Sequence, residues 1–393
     1  MRVVGVIAEY NPFHLGHAHH LAEARRLAQA DAVVVVMSSV FTQRGDAAIL
    51  SPADRTRMAL AAGADAVFAL PAQWAVRDAE HFALGGVSIL AGLGCNAISF
   101  GTEDASLSNL EAAAWVLDAP DESFSTAIRS CMDTGLSYPS AVAAVMKAMW
   151  PDCADLLLTP NSTLALCYLR ALRLLDAPME VFPVQRVGAY HDSALGDALP
   201  SATALRGAIL RGDWAKVRAA MPAEAYRILR EAAAAGRIHR PDALDTALLY
   251  RLRTMNAEEY AALPNLTEGI HNRLYNALDA ARTREDLLQT AKTRRYPYAR
   301  LSRLATHALL GFTEDDLQAH PLPEAAMLLG FRKDKRELFT HIASHGKLPI
   351  ISRASDLYNH GYSYLLEDRA YDIWSLGAGL PTGLMRTQGI VTL

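Results

Sequence analysis

Short apolar runs alternate with segments of helical spacing over the first hundred residues. Residues 32–37 (AVVVVM) form a continuous, mostly β-branched run, which is typical of a parallel strand covered on both faces. Between residues 15 and 30 the apolar residues recur at helical spacing, with Glu23, Arg25 and Arg26 as polar positions. Similar strands are predicted at residues 3–7, 66–70 and 97–100, and another helix at residues 52–62. This alternation predicts an α/β domain built on a parallel sheet with right-handed crossovers.

The pattern becomes mainly helical after residue 100. Helices are predicted at residues 107–117, 125–134, 139–150 and 162–175, followed by a strand at 181–184 and a closing helix at 202–210. Beyond residue 212 long Ala-, Leu- and Arg-rich helical patterns dominate, and strands are predicted at 348–352 and 389–393. We therefore predict two domains, a Rossmann-like α/β domain over residues 1–212 and a mainly helical domain over residues 213–393.

Composition narrows the class of protein. The chain has 393 residues, of which 51% are hydrophobic and 20% are charged, and these proportions exclude a largely disordered chain. The four cysteines form no CxxC pair, which favours a reducing compartment over a disulfide framework or a zinc site. The apolar stretch at the N-terminus ends by Glu9, too soon for a signal peptide or membrane span, so we expect a cytoplasmic protein without membrane contact. With a formal net charge of −4, any binding of nucleic acid requires a local basic patch.

A histidine-rich turn follows the first predicted strand. We call the segment Asn11-Pro12-Phe13-His14-Leu15-Gly16-His17 the histidine turn. It lies at the carboxyl end of a strand, where doubly wound sheets bind ligands, and it begins a helix, whose N-terminus attracts phosphate. His14 and His17 are three residues apart, so we expect both imidazoles on one face, where they stabilise charge on an α-phosphoryl group. Gly16 leaves room for a nucleotide to approach closely.

Two plainer interpretations of the histidine turn are open. It could be a capped helix with two surface histidines, although its position after the strand, the Asn-Pro-Phe sequence and the central glycine favour a phosphate site. It could also be a metal site that uses His14, His17, His19 and His20. A metal is disfavoured because the carboxylate partners are limited to Glu9 and the histidines spread around the helix.

A second group of phosphate ligands is predicted at the start of the helix at residues 202–210. Ser201 and Thr203 provide hydroxyls, and Arg206 provides a guanidinium that can hold a phosphate with two hydrogen bonds. Taken alone, this group is an ordinary helix N-cap. Paired with the histidine turn, it forms a clamp on the other side of the triphosphate cleft.

Cationic and aromatic residues are interleaved near residue 300. The basic segment, as we call residues 292–303, contains five cations and two tyrosines in twelve positions. Cations bind phosphates and aromatic rings stack on unstacked bases, so this pattern is typical of proteins that recognise single-stranded RNA loops. A solvated helix face is the simpler alternative. The residues expected to bind RNA are Lys292, Arg294, Arg295, Tyr296, Arg300 and Arg303.

These segments together resemble the bacterial tRNA(Met) cytidine acetate ligases, a family of the HIGH-type nucleotidyltransferase superfamily. The resemblance rests on HxGH after the first strand, on SxTxxR at residues 201–206 and on the string from Ile7 to His17. Further matching segments are Met37-Ser38, Phe41-Thr42-Gln43-Arg44-Gly45, Ser99-Phe100-Gly101-Thr102-Glu103, Pro160-Asn161, Arg186 with Tyr190-His191-Asp192, and Lys292-Thr293-Arg294-Arg295-Tyr296 with Arg300-Leu301. The resemblance extends from residue 1 to about residue 310 and is weaker beyond it.

The resemblance implies a two-step reaction of ATP, acetate and elongator tRNA(Met). Acetate attacks the α-phosphate of ATP to give acetyl-adenylate and pyrophosphate, and the acetyl group then passes to the exocyclic amine of the wobble cytidine. Residues 1–212 would bind ATP and residues 213–393 the tRNA, with His14 and His17 as catalytic residues. Besides the clamp of Ser201, Thr203 and Arg206, the expected nucleotide contacts are Ile7, Ala8, Glu9, Tyr10, Asn11, Pro12, Phe13, His14, Leu15, Gly16, His17, Ala18, His19, His20, Gly101, Asn161 and Arg186.

The chemistry of this reaction suits the residues present. Acetate is ionised at neutral pH, so the first step needs positioning and charge stabilisation rather than a general base. The amine of cytidine is a poor nucleophile because its lone pair is delocalised, and a mixed anhydride overcomes that difficulty. The sequence does not identify a base for the second step. Mg²⁺ usually accompanies ATP, although the sequence contains no dedicated carboxylate cluster for it.

Some of the implied contacts have plainer alternatives. Gly101 could be an ordinary glycine at a strand end, Asn161 could cap the following helix, and Arg186 could be a surface arginine. His191 and Asp192 could form a loop hydrogen-bond pair rather than a catalytic one. Two other functions are also open for the whole chain: a small-molecule adenylyltransferase of the same superfamily, and a non-catalytic RNA-binding protein on that scaffold.

Overall fold

A computed structural model describes residues 1–118, 120–186, 201–266, 269–357 and 362–393. Within these residues one mostly parallel sheet has the strand order β5-β4-β1-β2-β3-β6-β7, with β8 paired to β6. Its strands are β1 (Val3–Ala8), β2 (Ala32–Ser38), β3 (Ala66–Leu70), β4 (Ala97–Thr102), β5 (Glu180–Gln185), β6 (Ala326–Phe331), β7 (Ile350–Ile351) and β8 (Val391–Thr392). The strands predicted at residues 3–7, 32–37, 66–70, 97–100 and 181–184 are confirmed.

The strand order reverses at β1. From β1 the chain moves through β2 to β3 on one side, and then through β4 to β5 on the other side. All of these neighbours pair in parallel, with Val4 opposite Val33 of β2 and opposite Ala97 of β4. The crevice beyond the carboxyl ends of β1 and β4 is therefore a topological switch point, where open α/β sheets bind ligands. The histidine turn begins at this crevice.

Helices cover both faces of the first strands. Alternate side chains of β1 point to opposite faces: Val6 packs in a core with Leu21, whereas Val3 packs in another with Val87. This two-sided burial explains why the strands are continuous apolar runs. The helices between the first four strands are α1 (Leu15–Leu27), α2 (Pro52–Ala61), α3 (Ala72–Ala75) and α4 (Ala79–Gly92).

A helical insertion separates β4 from β5. It contains α5 (Leu107–Asp118), α6 (Glu122–Asp133), α7 (Tyr138–Met149), a 3₁₀ helix (Pro151–Leu157) and α8 (Pro160–Leu174). The helices predicted here are confirmed, although α6 begins earlier than predicted because the Asp121 carboxylate caps it by accepting a hydrogen bond from the Phe124 N–H at 2.7 Å. The insertion packs on the α4 face of the sheet and belongs to the same core as Val3.

The chain beyond β5 is mainly helical, as predicted. Part of it forms a separate apolar core that includes Leu248, Leu274, Leu288 and Leu304. The helices from β5 to β6 are α9 (Ala202–Arg211), α10 (Trp214–Ala220), α11 (Ala223–Ala234), α12 (Asp245–Thr254), α13 (Ala257–Ala261), α14 (Ile270–Asn276), α15 (Arg284–Ala291), α16 (Tyr298–Leu310) and α17 (Glu314–Ala319). Within the described residues, none of the helices is long and apolar enough to cross a membrane.

The last part of the chain returns to the sheet. The helices there are α18 (Arg336–His345), α19 (Ala354–Leu357), α20 (Tyr362–Gly377) and α21 (Leu384–Thr387). β7 and β8 confirm the two strands predicted near the C-terminus, but β6 was not predicted, and it pairs antiparallel with β3. A short apolar run such as AMLLGF cannot be assigned to strand or helix from its periodicity alone. The two predicted domains therefore share one sheet, and a boundary at residue 212 stays a prediction.

Candidate active site

The two histidines of the histidine turn cap the helix that follows them. His14 is the N-cap of α1, and its Nδ1 accepts a hydrogen bond from the Gly16 N–H at 3.1 Å. His17 Nδ1 accepts one from the His14 N–H at 3.2 Å. The two rings are stacked with their centroids 3.6 Å apart, which confirms that both imidazoles lie on one face.

These hydrogen bonds assign the protons of both rings. A nitrogen that accepts a hydrogen bond carries no proton, so each neutral ring must carry its proton on Nε2. The Nε2–H groups of His14 and His17 are therefore the donors that remain for a ligand. His20 lies one turn further along α1, where its Nε2 is 3.2 Å from Ser99 Oγ in β4.

Burial keeps the three histidines neutral. It lowers the pKa of His14 to about 4, and the nearby charge of Arg186 adds to this effect. Burial and Arg186 likewise lower the pKa of His20 to about 4. Burial also lowers the pKa of His17 well below its usual value, with further contributions from His14 and Arg186. At neutral pH these rings are uncharged donors held in fixed positions.

Two buried aromatic rings support the histidine turn from below. The Tyr10 ring lies 4.7 Å from the Phe13 ring and 4.9 Å from the His17 ring, measured between centroids. Tyr10 has a φ of 48°, a left-handed conformation that is uncommon for a bulky residue and that turns the chain sharply after β1. Asn11 Oδ1 accepts a hydrogen bond from the Ile49 N–H at 2.8 Å. Tyr10, Asn11 and Phe13 thus position the two histidines of the turn.

Gly101, Asn161 and Arg186 lie together beside the histidines. The Arg186 N–H donates to the Thr102 carbonyl at 3.0 Å, which continues the pairing of β4 and β5. Its side chain passes over Gly101, where a Cβ would lie 3.5 Å from Arg186 Cγ, and its Nη1 reaches Asn161 Oδ1 at 3.5 Å. The exposed guanidinium of Arg186 is therefore a cation on the histidine side of the crevice.

Asn161 does not cap α8. The N-cap of that helix is Thr159, which makes no side-chain capping hydrogen bond. The Asn161 amide instead donates to the Glu103 carboxylate, and Glu103 also accepts from the Ser162 N–H at 2.8 Å. This network fixes the Asn161 carbonyl towards Arg186, so the capping alternative for Asn161 is wrong.

The predicted clamp contacts the histidine turn through Arg206. Arg206 Nη1 donates to the Asn11 carbonyl at 2.9 Å, and its Nη2 donates to Thr203 Oγ1 at 3.1 Å. Ser201 is the N-cap of α9 and accepts from the Ala204 N–H at 3.3 Å. The tertiary structure thus brings Arg206 to the turn, whereas the Ser201 hydroxyl has the ordinary role of a helix cap.

Sequence reasoning did not foresee the contacts of two residues that organise the crevice. Arg55 is fully buried in α2 and donates hydrogen bonds to the carbonyls of Glu9, Ser38, Ser39 and Leu50. It therefore ties together the chain segments that follow β1 and β2. Gln43 was named as part of the resemblance, but its contact was not foreseen: its N–H donates to Glu9 Oε1 at 2.7 Å. Neither role has a local sequence signal, because each depends on residues that are distant along the chain.

The basic segment divides into an exposed loop and a partly buried helix start. Lys292, Arg294 and Arg295 are exposed in the loop between α15 and α16, so this part is not the helix face that was the simpler alternative. Tyr296 and Arg300 are partly buried. Arg303 lies within α16 and points inward, with Nη1 3.5 Å from the Gln43 carbonyl.

The loop after β2 contacts both the basic segment and the crevice. Gln43 donates from its N–H to Glu9 and faces Arg303 with its carbonyl. Gly45 of the same loop has a φ of 82° and packs against the backbone of Ser302, so a side chain there would be both strained and crowded. The start of α16 is therefore held at the edge of the crevice.

Tyr190, His191 and Asp192 lie outside the described residues. Among the residues that the structure does describe, no group of three or more His, Cys, Asp or Glu side chains is arranged to hold a metal ion.

Comparison with known proteins decides the family. The family model described as HIGH Nucleotidyl Transferase matches residues 1–382. The tRNA(Met) cytidine acetate ligase of Geobacillus sp. (strain WCH70) is 34% identical over 376 residues, which cover 94% of this chain and 93% of that protein. The ligase of the same name from Acetivibrio thermocellus is 34% identical over 370 residues, covering 91% and 89% of the two chains. The chain belongs to the tRNA(Met) cytidine acetate ligase family of HIGH nucleotidyl transferases.

Solved structures from this family share the whole fold. A crystal structure of Thermotoga maritima TmcAL bound with alpha-thio ATP superposes with a TM-score of 0.90 at 25% identity, and the match covers 100% of both chains. The apo structure of the same protein gives a TM-score of 0.91 at 26% identity with the same coverage. The α/β architecture predicted from the sequence, with its mainly helical second part, is thus confirmed, and the resemblance that the sequence indicated is correct.

Proposed function

We propose that the protein is an ATP-dependent ligase that activates acetate as acetyl-adenylate and transfers the acetyl group to the wobble cytidine of elongator tRNA(Met), forming N4-acetylcytidine. The observation that carries this proposal is the pair of stacked, neutral imidazoles at the N-terminus of α1, at the switch point of the sheet. The full-length similarity to ligases of that name, and to a TmcAL structure bound with alpha-thio ATP, supports it.

In the first step the histidine turn receives the α-phosphate of ATP. An acetate oxygen forms a bond to the α-phosphorus, the bond from that phosphorus to the bridging oxygen breaks, and pyrophosphate leaves. His14 and His17 donate from Nε2–H to the phosphoryl oxygens, where negative charge accumulates. Donors that are already oriented in a buried site stabilise such charge without reorganisation during the reaction. Because acetate is ionised at neutral pH, the step requires no proton acceptor.

Two arginines provide positive charge on opposite sides of the triphosphate. Arg186 lies beside the histidines, and Arg206 lies against the Asn11 carbonyl. A guanidinium binds phosphate oxygens with two parallel hydrogen bonds, so each arginine suits a phosphate group of ATP or of departing pyrophosphate. Mg²⁺ bound with ATP would be held by phosphate oxygens and water, because the described residues contain no group of three or more His, Cys, Asp or Glu side chains arranged for a metal ion, and it would neutralise charge on the triphosphate.

The second step brings RNA to the same crevice. We assign ATP binding to residues 1–212 and tRNA binding to residues 213–393, with the basic segment as the main RNA contact. Its exposed cations Lys292, Arg294 and Arg295 lie close along the chain to Arg303, which packs at the edge of the crevice. An anticodon loop bound there would have its wobble base near the adenylate. An enzyme with this substrate works in the cytoplasm.

Mass spectrometry of tRNA tests this function directly. Bulk tRNA is incubated with the protein, ATP and isotopically labelled acetate, then digested to nucleosides. We expect one labelled acetyl group on cytidine from elongator tRNA(Met), dependent on ATP and on acetate. Absence of acetylated cytidine with wild-type protein would contradict the proposal. Transfer of AMP to a small molecule without RNA would instead favour an adenylyltransferase.

A further inference from the structure

A carboxylate, that of Glu9, follows the last residue of β1 and lies two residues before the histidine turn. Glu9 is partly buried, and its Oε1 accepts the Gln43 N–H at 2.7 Å. The carbonyl of the same residue accepts from Arg55 Nη1 at 2.8 Å. These two hydrogen bonds hold the backbone and one carboxylate oxygen of Glu9 in place. Among the described residues, no hydrogen bond is made to Oε2.

Titratable groups from several elements lie near this carboxylate. Asp46 and Arg44 lie in the loop after β2, Arg206 in α9, Arg55 in α2, and the Tyr168 hydroxyl in α8. Burial raises the pKa of Glu9, the Gln43 N–H opposes that rise, Asp46 adds to it, and Arg206 and Arg44 lower it. The net result is a pKa above that of an ordinary glutamate, which makes the carboxylate a better proton acceptor near neutral pH.

Two of these groups border an opening large enough for a base. Asp46 and Arg206, which both face Glu9, line a cleft of about 370 Å³ between the loop after β2, α9, α12 and α16. Phe41, Tyr298 and Leu309 form part of its apolar wall. Ligand clefts at the junction of two parts of a fold commonly have this size and mixture of apolar and polar walls. A nucleobase that is modified must leave its stack and enter a cleft of this kind.

We propose that the Glu9 carboxylate accepts the proton that leaves the exocyclic amine of the target cytidine during acetyl transfer. This inference rests on the proposed function and assigns the base for its second step. The amine nitrogen bonds to the carbonyl carbon of acetyl-adenylate, the bond from that carbon to the phosphate oxygen breaks, and AMP leaves with the electron pair. The nitrogen loses one proton, which passes to Oε2 of Glu9 and then through the cleft to solvent.

A glutamine side chain can keep the nucleotide contact that the resemblance implies for Glu9, but it cannot accept a proton at neutral pH, and this difference provides the test. In the full-length Glu9→Gln variant the side chain keeps its size and its acceptor for the Gln43 N–H. We expect acetate-dependent ATP–pyrophosphate exchange to stay within about fivefold of wild type, whereas single-turnover transfer from acetyl-adenylate to tRNA falls at least about 50-fold at pH 7. On the acidic side of its pH profile, the transfer rate of the wild-type protein should rise with pH as Glu9 loses its proton. The transfer rate of the Glu9→Gln variant should not depend on pH over that range.

Two further variants make the outcome decisive. Glu9→Asp retains a carboxylate at a different distance, so transfer should fall less than in Glu9→Gln and should still rise with pH over that range. Asp46→Asn removes a charge that faces Glu9 without removing the acceptor, so transfer should fall less than about fivefold. A similar loss in Asp46→Asn and Glu9→Gln would mean that only the charge of the cleft matters, which overturns the inference.

The remaining outcomes separate this inference from the proposed function. Equal losses of exchange and transfer in Glu9→Gln, with unchanged melting temperature, would make Glu9 a nucleotide-positioning residue and overturn the inference. Unchanged transfer in that variant would also overturn it. If wild-type protein forms no acetylcytidine at all, the proposed function itself is wrong.

Discussion

The histidine turn and the basic segment both meet phosphate groups in the proposed reaction, yet they are built in opposite ways. The histidine turn is mostly buried, its rings are neutral, and each ring is held by a hydrogen bond from the backbone. The loop of the basic segment is exposed and carries the charges of Lys292, Arg294 and Arg295. In the proposed reaction, phosphate is therefore bound by fixed dipoles at the histidine turn and by solvated charges at the basic segment.

The difference reflects what each region must recognise. A reacting phosphoryl group needs donors that are correctly placed before charge develops, and burial makes such donors effective. An RNA backbone is long and flexible, and exposed cations bind it chiefly by releasing its counterions. In the proposed reaction, burial of neutral groups would serve chemistry at one atom, whereas exposure of charges would serve the capture of a polyanion.

The largest effect should follow from removal of one imidazole donor. In His14→Asn the new side chain still caps α1, because Asn is among the best N-cap residues, but the Nε2–H donor is lost. We expect acetate-dependent ATP–pyrophosphate exchange to fall about 100-fold while tRNA affinity stays within about twofold. Arg26→Ala, which alters an exposed residue near the C-terminus of the same helix, is the control and should retain exchange. Normal exchange in His14→Asn would remove this residue from the site.

Loss of two exposed cations should have a smaller effect, and that effect should be on tRNA binding rather than on exchange. The Lys292→Ala, Arg294→Ala double variant should weaken tRNA binding roughly tenfold at physiological salt and reduce the slope of log affinity against log salt by about one to two. Exchange should stay near wild type, because neither residue contacts the crevice. The matched control is Arg129→Ala with Lys147→Ala, two exposed cations on α6 and α7. Loss of exchange with unchanged tRNA affinity would reverse the assignment of roles.

The smallest effect concerns stability at acidic pH. The folded pKa of His14 and of His20 is about 4, below the unfolded value, so the unfolded state binds more protons as the pH falls from about 6.5 towards 4. The free energy of unfolding should therefore decrease over that range. Between these two pH values the melting temperature of His14→Asn should fall by a few degrees less than that of wild type. Lys292→Ala should lose as much melting temperature as wild type. If melting temperature depended on pH equally in both variants, His14 would not be held neutral by burial.

Much of the site could be predicted because its signals are local. The strand at residues 32–37 and the histidine turn each carry their pattern within a few consecutive residues. Helix capping by His14 and stacking on His17 follow from a spacing of three residues. Arg186, Asn161 and Gly101 could be named only through the resemblance, since nothing near each residue indicates its neighbours.

The sequence by itself determined the alternation of strands and helices, the position of the histidine turn after β1, and the concentration of charge in the basic segment. These properties depend on periodicity and on contacts between near neighbours, which a linear chain already contains. Only the tertiary structure decided that β6 completes the sheet beside β3, that Arg206 reaches the Asn11 carbonyl, and that Gln43 links Glu9 to Arg303. Each of these contacts joins residues far apart in the chain, and their partners are selected by the packing of the whole fold.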